Sequence, residues 1–388
     1  MLRIALLIAA FLCGGSAALL TVWIVVPALS FDLFKVAVGA SEWSLWFGAA
    51  GLLGAGLSLA ARAAGSRRAA WVALFVGVAA VGLSLIPPLG SWGVARANNV
   101  ELSLGQYLFG SRDAQAVSVG RTTETFATVG GQTLKLDIYL APPGETTRQR
   151  AAIVVVHGGS WSAGERSDYP LWNEWLARQG YAVFDIDYRL APQPNWQTAT
   201  GDVKCAVAWV KQNAGRFAVD PARVALFGRS AGGHLALLAA YSTDEAALAP
   251  SCTAPDARVR AVVSLYAPTD LKWGYEHPAN PRVLDGPGKI RDFAGGSPAS
   301  EPEAVRLASA TTHVKAGSPP TLLFHGGRDQ LVNDRHMTLL AERLSQHHVP
   351  HRTLLIPYAQ HAYDYNFDGW GSQLTRPLLL QFLREHLN

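Results

Sequence analysis

The first 93 residues contain almost no charge: Arg3, Asp32, Lys35, Glu42, Arg62, Arg67 and Arg68 are their only ionised side chains. Lys/Arg blocks are missing from the whole chain, so its net charge of +4 does not describe a surface that follows a phosphate backbone, and nucleic acid is excluded as a partner. Cysteine is scarce, with 3 in 388 residues, which rules out a disulfide-dense small scaffold. No internal repeat is visible.

The charge-poor part holds three runs long enough to cross a bilayer: Ile4 to Leu29, Trp43 to Ala61 and Ala69 to Gly90. About 20 apolar residues rising 1.5 Å each cover a hydrocarbon core roughly 30 Å thick. The first run exceeds the apolar region of about 7–15 residues in a secretory signal. Leu12 also argues against lipidation at Cys13. Gly48, Gly51, Gly54 and Gly56 would let the second helix approach its neighbours closely. Arg62, Arg67 and Arg68 crowd the second connection, and Arg3 precedes the first span. The positive-inside rule then puts the N-terminus and that connection in the cytoplasm, and everything after the third span outside. The spans carry no charged residue of the kind that marks an ion path. The expected organisation is a three-helix transmembrane region (1–93), a juxtamembrane linker (94–122) and a catalytic domain (123–388).

From residue 123 the pattern becomes regular. "TETFATV" and "TLKLDIYLA", split by Gly130 and Gly131, read as a hairpin. "AAIVVVHGG" is a continuous apolar run, as a doubly buried strand requires. Strands then alternate with helices of about 10–15 residues to the end of the chain, which predicts a mostly parallel sheet with helices on both faces. Chemistry in such sheets gathers at the carboxyl ends of the strands. The segment Pro268 to Ala310, rich in Pro and Gly, is expected to cover part of the site. Cys205 and Cys252, assigned to opposite sheet edges, read as buried thiols rather than a pair.

In "RVALFGRSAGGHLALLAA" (223–240) a serine sits where a strand must become a helix. A strained turn pushes its oxygen clear of the sheet, and the positions two residues away must be small; Gly228 and Gly232 meet that need. Ser230 is the candidate nucleophile. It needs a base. His361, just past the last strand in "YAQHAYD", is placed for that role. His347, His348 and His351 lie before that strand; His325, His234 and His157 read as structural. Asp329 in "HGGRDQLV" is placed to orient His361. Asp270 is its rival, and Asp334 reads as exposed. "VVVHGGSW" supplies backbone N–H groups after a buried strand. Gly159 and Ser160, with Ala231, are the expected oxyanion donors. "DYNFDG" (364–369) imitates half of a calcium loop, but Thr375 stands where a bidentate Glu is needed, so no metal is expected.

"HGGSW", "DYRLAPQPNW", "GRSAGGHLA", "GGRDQLV" and "QHAYD", in this order, resemble the α/β-hydrolase superfamily, and within it the hormone-sensitive-lipase and small bacterial carboxylesterase group. The resemblance runs from about residue 123 to the end. It implies ester hydrolysis through an acyl-enzyme, with Ser230, His361 and Asp329 as the triad and no cofactor or metal. Ser160 and Arg229 stand where this group often has Gly and Asp, and little sequence is left for an N-terminal cap. Both departures favour small or medium acyl groups over long ones. The expected substrate is a small-molecule ester, the other partner is the lipid bilayer, and the sequence names no protein partner. An amidase or acyltransferase could use the same triad, and a non-catalytic membrane scaffold is the rival of another class.

Overall fold

In the computed structural model, described for residues 1–111, 119–142 and 149–387, the chain begins as α-helices. They are α1 (Leu2–Thr21), α2 (Phe31–Glu42), α3 (Ser44–Ala63), α4 (Arg67–Ser84), α5 (Ile86–Ala97) and the short α6 (Leu104–Phe109). Three stretches are long and apolar enough to cross a membrane: Leu2–Ile24, Ser44–Ala63 and Arg67–Ala97. The small residues lie where the helices meet: a Cβ on Gly54 would fall 2.5 Å from the backbone of Gly14, and one on Gly77 2.7 Å from Gly51. The outward sides of these helices carry exposed large apolar groups such as Leu52, Phe75 and Trp71.

The first span ends earlier than the apolar run does. Helical structure stops at Ile24, before Pro27, and Ala28 in the apolar stretch that follows bonds to Gln330 and Asn280. A second short helix, α2, fills the connection that the sequence had left unassigned. At the other end Pro87 and Pro88 open α5 rather than break the third span, because proline is accepted in a helix's first turn. Val94 to Ala97, assigned to the linker, are its last residues. Residues 112–118 of that linker, and the terminal Asn388, lie outside the described residues.

The rest is one eight-stranded sheet with the order β1-β2-β4-β3-β5-β6-β7-β8. The strands are β1 (Gly120–Val129), β2 (Gln132–Leu140), β3 (Arg150–Val156), β4 (Ala182–Ile186), β5 (Val219–Arg229), β6 (Ala261–Leu265), β7 (Thr321–Gly326) and β8 (His351–Ile356). β1 and β2 pair antiparallel, β2 joins β4 antiparallel, and the remaining pairs are parallel. The hairpin therefore closes one edge, as expected. The central parallel strands bury long apolar runs, such as Ala151–Val156 of β3 and Val224–Phe227 of β5, between the helices on the two faces. These helices are α7 (Pro170–Arg178), α8 (Trp196–Gln212), α9 (Ala231–Tyr241), α10 (Leu271–Glu276), α11 (Gly286–Ala294), α12 (Pro302–Leu307), α13 (Arg335–Gln346) and α14 (Trp370–Leu387). This is an α/β-hydrolase fold behind an N-terminal helical region.

One expectation is corrected. Cys205 and Cys252 form a disulfide, with Cα atoms 5.6 Å apart. The chain after α9 does not stay at the far edge but doubles back along α8. Ser251 N donates to Gly201 O at 3.0 Å, and Lys204 Nζ donates to the carbonyls of Ser242 and Leu248. That return brings Cys252 over Cys205.

Candidate active site

β5 runs into α9 at Ser230, whose backbone has φ 52° and ψ −123°. This strained conformation is held from both sides: Ser230 N donates to Leu265 O of β6 at 2.9 Å, and Ser230 O accepts from His234 N. The crowding that demands glycine is explicit. A Cβ on Gly228 would sit 2.2 Å from Gly232 O, and one on Gly232 2.1 Å from His157 O.

Asp329 follows β7 and His361 follows β8, so two neighbouring strands deliver them to the same sheet edge. His361 Nε2 lies 2.8 Å from Ser230 Oγ, and His361 Nδ1 lies 2.7 Å from Asp329 Oδ2. Both side chains are buried, and the ring of Tyr266 covers the imidazole at 4.4 Å. Asp329 Oδ1 accepts from the N–H groups of Leu331 and Val332, and His325 Nε2 stands 3.2 Å from Oδ2. Burial opposes ionisation of Asp329, but His361 and His325 outweigh it and hold the carboxyl far below the usual carboxylate range.

The loop after β3 turns back under the serine. Gly159 has φ +113°, and a Cβ there would meet Ala163 O at 2.0 Å; Ser160 and Trp161 are also left-handed, at +52° and +58°. Among the described residues, the N–H groups of Gly159, Ser160 and Ala231 have no hydrogen-bond acceptor. All three residues line the pockets that meet at Ser230. A hydroxyl, a proton acceptor, an oriented carboxylate and unengaged donors are the parts needed to form and collapse a tetrahedral oxyanion.

No other histidine ring contacts Ser230 Oγ among the described residues. His234 accepts from Trp161 Nε1 at 3.1 Å and faces Ala308 O; burial pushes its pKa down to about 4. His157 stacks on Tyr188, and His325 contacts Val332 O. Asp270 caps α10 through Trp273 N.

The calcium-like "DYNFDG" has a different task, which the sequence reading missed. Asp364 is buried and pairs with Arg229: Arg229 Nε donates to Asp364 Oδ2 at 2.5 Å, and Tyr266 OH donates to Oδ1 at 2.5 Å. The guanidinium lies against Tyr169, Phe227 and Trp172. A charge beside the serine at the end of a buried strand was the available signal, since such a charge needs a partner. Phe31 of α2, which lines the larger pocket, was unforeseen. Lys289 of α11 lines both pockets and belongs to the Pro268–Ala310 segment expected to cover part of the site.

Comparison with known proteins covers much of the sheet region. Residues 136–344 match the BD-FAE family model. "Probable carboxylic ester hydrolase LipM" of Mycobacterium tuberculosis is 30% identical over 239 residues, 60% of this chain and 54% of that protein. Esterase LipC of the same organism is 31% identical over 245 residues, 62% of this chain and 59% of that protein. The chain thus spans somewhat more than half the length of these relatives. The propionate-bound esterase Est2 of Thermogutta terrifontis superposes with a TM-score of 0.54 at 25% identity, covering 70% of this chain and 95% of that one.

Proposed function

The chain belongs to the BD-FAE family, among the α/β-hydrolase esterases of the hormone-sensitive-lipase type, and on that premise we propose that it is a membrane-anchored serine esterase for small or medium acyl groups. The observation that carries this reading is the 2.8 Å approach of His361 Nε2 to Ser230 Oγ, with Asp329 behind the ring. Ser230 Oγ attacks the ester carbonyl while His361 takes its proton. The oxyanion is held by the amides of Gly159, Ser160 and Ala231, each worth about 3–4 kcal/mol of barrier. His361 then protonates the leaving alcohol. Water, activated by the same imidazole, releases the acid from Ser230.

Small acyl groups are supported by the pocket beside Ala231, only about 60 Å³ and lined by Trp161 and Ile290. Propionate-bound and butyrate-bound forms of the Thermogutta terrifontis esterase agree with that size. The three apolar helices anchor residues 120–387 at a bilayer, with this catalytic region on the extracytoplasmic side. Arg62, Arg67 and Arg68 in the second connection favour that orientation, and so does the Cys205–Cys252 bond, since disulfides persist in oxidising compartments. Labelling of the full-length protein with a serine-reactive fluorophosphonate tests the reading: an adduct on Ser230 together with turnover of p-nitrophenyl butyrate is expected. A correctly folded protein with neither would be a scaffold, not an esterase.

A further inference from the structure

The two pockets that meet at Ser230 differ in which reacting groups they contain. The smaller includes Ala231 and Trp161 but not His361. The larger, about 390 Å³, is lined by His361, Ala362 and Phe31 among others. When the tetrahedral intermediate collapses, the bond between carbonyl carbon and alcohol oxygen breaks, and that oxygen takes the proton held by His361. The alcohol therefore lies on the His361 side, and the acyl group takes the smaller pocket.

Phe31 comes from the segment between the first two apolar helices, which is fastened to the catalytic region. Ala28 N donates to Gln330 Oε1 at 2.6 Å, and Asn280 Nδ2 donates to Ala28 O at 2.8 Å. Ala28 and Phe34 form a small apolar cluster with Val283. Gln330 is the residue next to Asp329, so the wall is tied in beside the reacting groups. The same segment stays close to the membrane: the first apolar helix ends at Ile24 and the second begins at Ser44. Val26, Leu29 and Phe31 remain 40%, 55% and 46% exposed. Large apolar side chains left bare within a few residues of a span end match the boundary between headgroups and acyl chains.

We propose that the alcohol side of the cleft opens onto the bilayer surface and takes the alcohol portion of a short-acyl ester whose alcohol is a membrane-resident amphiphile, with Phe31 as the contact between cleft and lipid. This rests on the esterase reading and on the three helices crossing a membrane. The substrate reaches Ser230 laterally from the bilayer, its acyl end entering first and its long alcohol remaining partly in lipid.

The test uses the full-length protein in phosphatidylcholine vesicles and two butyrate esters, water-soluble p-nitrophenyl butyrate and bilayer-carried hexadecyl butyrate. The ratio of their kcat/KM values is the readout. Phe31→Ser is expected to lower the hexadecyl-to-nitrophenyl ratio about tenfold, chiefly through KM, and Phe31→Leu to keep it. A wild-type protein that cleaves p-nitrophenyl butyrate but not hexadecyl butyrate would overturn the proposal and leave the esterase reading standing. So would a ratio unmoved by Phe31→Ser. Failure on both esters would remove the esterase reading, and this proposal with it.

Discussion

Arg229, the residue before the serine, and Asp364, three residues after the histidine, form a buried ion pair at 2.5 Å. Two segments 135 residues apart are thereby joined next to Ser230 in the sequence. The pair also holds Tyr266, whose ring covers His361. The positions of Ser230 and His361, the proposed nucleophile and base, are thus linked through a second contact.

Breaking that pair from one side should be costly. Asp364→Asn leaves a guanidinium buried without its counter-charge, and a loss of about 3–5 kcal/mol in unfolding free energy is expected. The double variant Arg229→Met/Asp364→Leu should recover much of it. Urea titration of the three proteins checks the order; equal losses in single and double variants would refute the coupling.

Removing the hydroxyl or its base should abolish turnover without unfolding the protein. For Ser230→Ala and His361→Gln a fall in kcat of at least about 10³-fold is expected, with little further loss when both are changed, because the groups act as a unit. Steady-state kinetics and circular dichroism on the same samples decide it.

Gly159→Ala tests the donor loop. At φ +113° with a carbonyl 2.0 Å from the new Cβ, the loop must shift and carry its N–H groups away. A drop of about 10²-fold in kcat with a much smaller change in KM is expected. An unchanged kcat would remove this loop from the reaction.

Asp329 has a folded pKa depressed below its ordinary 3.8, with its histidine neighbours overcoming the effect of burial. The sign follows from linkage: the carboxylate contributes stability that is fully present above pH 4 and is lost as pH falls from there through the lower folded value. Asp329→Asn should therefore flatten the loss of stability below pH 4. Chemical denaturation at a series of acidic pH values measures it.

Loss of the Cys205–Cys252 bond should lower stability by about 2–4 kcal/mol, since it closes a loop of 47 residues in the unfolded chain. Comparing a Cys205→Ala/Cys252→Ala variant with the oxidised protein by thermal melting tests this.

The elements around Ser230 were readable because each depends on local chain chemistry. Gly228 and Gly232 mark a turn that no side chain fits, and Asp329 and His361 follow apolar runs whose ends must share one sheet edge. What escaped reading depends on contacts across the chain. Nothing local says that Cys252 returns over α8, or that Asp364 answers Arg229. The apolar stretch up to Leu29 looked like membrane throughout, yet Ala28 is buried against Gln330. Periodicity reports that a segment avoids water; it does not report which apolar surface receives it.

The helix α5, which ends the third apolar stretch, also rests on the sheet region. A Cβ on Gly90 would be 3.2 Å from the ring of Tyr358, three residues before His361, and Glu42 O accepts from Asn366 Nδ2 on the other side of that loop. A tether would let the enzyme tumble above the lipid like a buoy on a chain. Seated as it is, and read with the proposed membrane anchor, the molecule would be closer to a keel fixed in its hull. Lipid thickness and lateral pressure, which act on the hull, would then reach the loop that carries His361.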